Sequence, residues 1–86
     1  MNALTGEVIT SGSTNATNII ITDKPYESHF HTFFIKVITG TVQFGIGSID
    51  ADAKGWTSSD TIPPIVCAKD QLYFKAAANT DTFVIH

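Results

Sequence analysis

The stretch FFIKVITGTVQFGI, from Phe33 to Ile46, constrains the fold more than any other part of the chain. It holds two apolar runs rich in β-branched and aromatic residues, joined at Thr39-Gly40. Such runs suit a pleated, half-buried surface, so the stretch reads as two neighbouring β-strands at the centre of a sheet. Side chains alternate along a strand. Phe33, Ile35 and Val37 therefore share one face, and Phe34, Lys36 and Ile38 share the other. Val42, Phe44 and Ile46 likewise lie opposite Thr41, Gln43 and Gly45. Both faces of the first run carry large apolar groups, which predicts that both are at least partly covered.

Two registers are open. Pairing Val37 with Val42 places Phe33, Ile35, Val37, Val42, Phe44 and Ile46 on one face. It needs Thr39-Gly40 as a two-residue turn or a four-residue loop around it. A type I′ turn would force β-branched Thr39 to positive φ. A type I turn with Gly40 in the left-handed position is easier, but it moves Phe34, Lys36 and Ile38 onto the face of Val42 and Phe44.

The rest of the chain adds short strands around this centre. Gly6–Thr10 is one candidate, and residues 1–17 form an edge strand or an arm that reaches a neighbour. Asn18–Thr22 is a strand, followed by a turn at Asp23–Glu27 where Pro25 cannot donate to a ladder. Ser48–Asp60 is the longest polar run and the loop best placed for function. Thr61-Ile62-Pro63-Pro64 is extended and carries the chain from one sheet to another. Ile65–Cys67, Gln71–Ala76 and Thr82–His86 complete the strands, with Leu72, Phe74, Phe83 and Ile85 inward. No segment sustains a 3.6-residue apolar period. The expectation is a single all-β domain over residues 1–86: a small β-sandwich or jelly-roll-like barrel of six or seven short antiparallel strands, without substantial helix.

Composition enters as a set of exclusions. A chain of 86 residues buries about 60–65% of its unfolded surface, so the core is thin and assembly would help it. The net charge is −3, with five lysines and no arginine. That argues against nucleic acid and against an anionic membrane surface. No apolar run is long enough for a membrane-spanning helix, and the start of the chain does not read as a signal peptide. Cys67 has no cysteine partner and sits in an apolar run, where it reads as a small buried hydrophobe. Threonine occurs twelve times, and it suits strands and turn hydrogen bonds.

Candidate chemistry is sparse. His29-x-His31 would put both imidazoles on one strand face, as a metal site needs. The pair, with Gly40 nine residues on, resembles the opening of the first cupin motif. The glutamate of that motif would fall near Phe34 or Ile35, which cannot bind metal, and His86 is the one other imidazole. Two ligands make no selective site, so His29 and His31 read as surface or interface residues and no cofactor is expected. Asp50-x-Asp52 resembles the start of a calcium loop, but Lys54 stands at the next ligand position and no glutamate follows. No nucleophile motif and no phosphate loop is present, so the chain is not expected to be an enzyme.

Surface burial is the remaining signal. Phe34, Ile38, Tyr73 and Val84 lie on faces opposite the expected core, and Trp56 stands alone in the polar loop, either plugging the core edge or facing a partner. Exposed together, such residues form a patch of the kind that marks an interface. Three stretches, IKVITGTVQFGIGSI, GWTSSDTIPPI and LYFKAAANTDTFVIH, resemble small all-β virion proteins of tailed bacteriophages. The resemblance implies a non-enzymatic structural protein that decorates or stabilises a capsid or serves in a tail. It implies self-association, for example as a trimer, and contact with other virion proteins such as a major capsid protein. It also implies a place in an extracellular particle assembled in the host cytoplasm. Two other classes stay open. A carbohydrate-binding module would expose Trp56 with Tyr26 or Tyr73 beside Asp or Asn groups and bind a glycan. A cupin-like metalloprotein would turn His29 and His31 inward with a third ligand.

Overall fold

The computed structural model describes residues 7–19, 30–68 and 70–86. Among these, eight strands form and no helix does. They are β1 (Glu7–Thr10), β2 (Thr17–Asn18), β3 (Phe30–Phe33), β4 (Ile35–Thr39), β5 (Val42–Ile46), β6 (Ile65–Ala68), β7 (Leu72–Ala76) and β8 (Thr82–Ile85). The strands make three antiparallel sheets, in the orders β1-β8-β4, β2-β7-β5 and β3-β6. The chain is thus all-β, as its alternating pattern predicts, and the layers pack as a small β-sandwich.

Residues 30–39 form one extended run whose burial alternates as far as Ile38; the register against β8 shifts between Val37 and Thr39, and Thr39 is exposed as well. Phe33, Ile35 and Val37 are buried; Phe30, Thr32, Phe34, Lys36 and Ile38 are exposed. The run changes partner at Phe34. Before it, Phe33 faces Ile65 of β6; after it, Ile35 faces Ile85 of β8. At the change, the Phe34 and His86 backbones exchange two hydrogen bonds of 2.7 and 2.9 Å.

The central pair is not a hairpin. β4 pairs with β8 and β5 pairs with β7, so Thr39–Thr41 is an arch between sheets. The physical cause lies in a second corner packed against it. Gly40 has φ of +80°, and a Cβ built there would sit 1.9 Å from Asp81 Oδ1. The Asp81 carboxylate is buried and accepts from the backbone N–H of Thr41 at 3.3 Å and of Ala78 at 3.0 Å. Ser11 ties on a third segment, donating its backbone N–H to Asp81 O and its hydroxyl to Ala78 O. An unpaired carboxylate in such a place would be costly, so these donors hold the corners together. Of the two registers, the face assignment of the first survives: Phe33, Ile35, Val37 and Val42 are buried and Phe44 packs on the core. Ile46, at the end of β5, is 55% exposed.

The core lies between the β1-β8-β4 and β2-β7-β5 sheets. Phe83 of β8 meets Phe74 of β7 at 5.2 Å and Phe44 of β5 edge-on at 5.1 Å between ring centroids. Tilted and edge-to-face rings at such spacing add to the area they bury. Cys67, facing inward on β6, is buried with its thiol pushed up by desolvation and, secondarily, by the Asp70 charge.

Candidate functional site

The two outer surfaces of the sandwich differ in chemistry. Outward positions of β2-β7-β5 are Asn18, Gln43, Gly45, Tyr73 and Lys75, a polar set. The 48–55 loop lies across part of this surface. Gln43 Nε2 donates to Ala53 O at 2.7 Å, and Ser48 O would sit 2.1 Å from a Cβ on Gly45, so only a glycine lets the loop come down there.

The other outer surface is mixed: exposed apolar side chains stand among Lys36 and a row of threonines, Thr10, Thr82 and Thr39. Along residues 30–39 the outward side chains are Phe30, Thr32, Phe34, Lys36 and Ile38, and Phe30 is 73% exposed. Val66 of β6 stands beside Thr32, while Val84 of β8 and Val8 of β1 stand in a row with Lys36. Phe34 stacks on His86 at 5.8 Å between centroids. Within this field Lys36 Nζ donates to the backbone carbonyls of Ser58 and Asp60. The prediction that both faces of the central run are covered is not met within the described residues.

The sequence candidates therefore separate. Phe34, Ile38 and Val84 share this outer surface; Tyr73 lies on the polar surface of the other sheet. Trp56 lies on neither. It forms an antiparallel bridge with Val42, through hydrogen bonds of 2.9 and 3.0 Å, and packs half-buried against the core. The Lys54 ammonium sits 4.9 Å over its ring, a cation–π contact that occupies a ring face a sugar would need. His29, Tyr26 and Glu27 lie outside the described residues. His31, on β3, stands opposite Cys67. Among the described residues no group of three or more His, Cys, Asp or Glu side chains is placed to hold a metal ion. Asp50 and Asp52 are exposed on a turn closed by Ala53 N–H donating to Asp50 O.

Four exposed apolar residues were not singled out by sequence reasoning: Val8, Phe30, Ile46 and Val66. For Phe30 the signal was present, since it shares parity with Phe34 on the same run. Ile46 lies at a different place, beside an open cleft of about 370 Å³ at the sandwich edge. The cleft lining is mixed: Phe44, Ile46, Ala53 and Ile65 are apolar, and Ser48 and Asp50 are polar.

No helix among the described residues is long and apolar enough to cross a membrane. No family model, curated protein or solved structure matches this chain.

Proposed function

We propose that this protein is a non-enzymatic structural module that works by assembling with copies of itself and with other proteins of a virion. The observation that carries the reading is the contrast between the two outer surfaces. One is polar and partly roofed by its own loop; the other exposes Val8, Phe30, Phe34, Ile38 and Val66. Large exposed apolar side chains gathered on one side of a small domain mark a protein contact. A chain of 86 residues with a thin core also gains stability from such a contact. The virion setting, as a capsid-decorating or tail accessory protein, rests on the resemblance of the three quoted stretches.

The test is mass in solution by light scattering across a range of concentrations. The native chain is expected to be an oligomer. The double variant Phe34→Asp with Ile38→Asp is expected to be a monomer with an unchanged circular dichroism spectrum, because both positions are exposed in the single chain. A native chain that stays monomeric up to about millimolar concentration, where even weak specific contacts populate, removes the proposal.

A further inference from the structure

We draw no further inference here: the strongest candidate, the open cleft along the edge of β5 at Phe44 and Ile46 beside Ile65 of β6, has a lining of mixed polarity, and nothing in the structure shows what covers it.

Discussion

Asp81 shows how one side chain decides a turn. Its carboxylate takes the backbone N–H groups of Thr41 and Ala78 and fills the space where Gly40 would carry a Cβ. Gly40→Ala therefore combines left-handed strain of about 1–2 kcal/mol with a collision that the buried carboxylate cannot escape. Gly12 isolates the two effects: its φ is +61°, but nothing lies within 4 Å of an added Cβ. Thermal melts are expected to place Gly12→Ala about 1 kcal/mol below the native chain and Gly40→Ala more than about 2 kcal/mol below it. Equal losses would mean that Asp81 does not crowd the arch. Asp60 holds a turn of its own. Asp60 accepts the backbone N–H of Thr57 at 2.9 Å, and this bond holds its pKa below the ordinary 3.8. A lowered folded pKa means the bond's contribution is present above the unfolded value and fades as pH falls through the folded one. The Thr57 amide resonance is expected to titrate with a midpoint below 3.8, and Asp60→Asn to abolish that titration; a midpoint at or above that value counts against the bond.

At the level of elements, β8 is the strand on which the sandwich depends. It lies between β1 and β4 and sends Phe83 into the opposite sheet against Phe44 and Phe74. Phe83→Ala is expected to cost about 3–5 kcal/mol. That is a large share of the roughly 5–15 kcal/mol available to a small domain. Val84→Ala, one residue on and half-exposed on the outer surface, should cost well under about 1 kcal/mol in the dilute single chain. Denaturant titration separates the two, and similar losses would contradict the assigned faces. These elements were the part of the fold legible from sequence. Period-two alternation placed Leu72, Phe74, Phe83 and Ile85 inward, and all are buried. Pairing was not legible, because partners are chosen by contacts far apart in sequence. Thr39-Gly40 carries the same glycine signal for a hairpin as for an arch, and only Asp81, distant in the chain, distinguishes them. The outer surface was partly legible for the same reason: parity found Phe34 and Ile38, but it could not show that Tyr73 faces away from them on the other sheet.

At the scale of the whole molecule, the asymmetry of the two outer surfaces governs behaviour in solution. The contact proposed for this surface is built mainly from Val8, Phe30, Phe34, Ile38 and Val66, with Lys36 the charged side chain among them. Association should therefore be nearly indifferent to ionic strength between about 0.05 and 0.5 M, a range over which screened charge pairs weaken markedly. Light scattering at several salt concentrations checks this, and a strong fall in mass with salt would point to a polar contact instead. The order of strands has a consequence of another kind, for synthesis. Glu7 pairs with Ile85, so β1 waits for nearly all of the chain before it finds a partner. β4 waits for the same strand. While residues 82–85 are still inside the ribosome, the nascent chain holds two orphan strands and an uncovered core. Domains built on such remote pairings fold in about milliseconds to seconds, slowly for their size. β1 and β4 therefore take their places only after residues 82–85 emerge, and the part of the outer surface that carries Val8 and Ile38 is assembled only then.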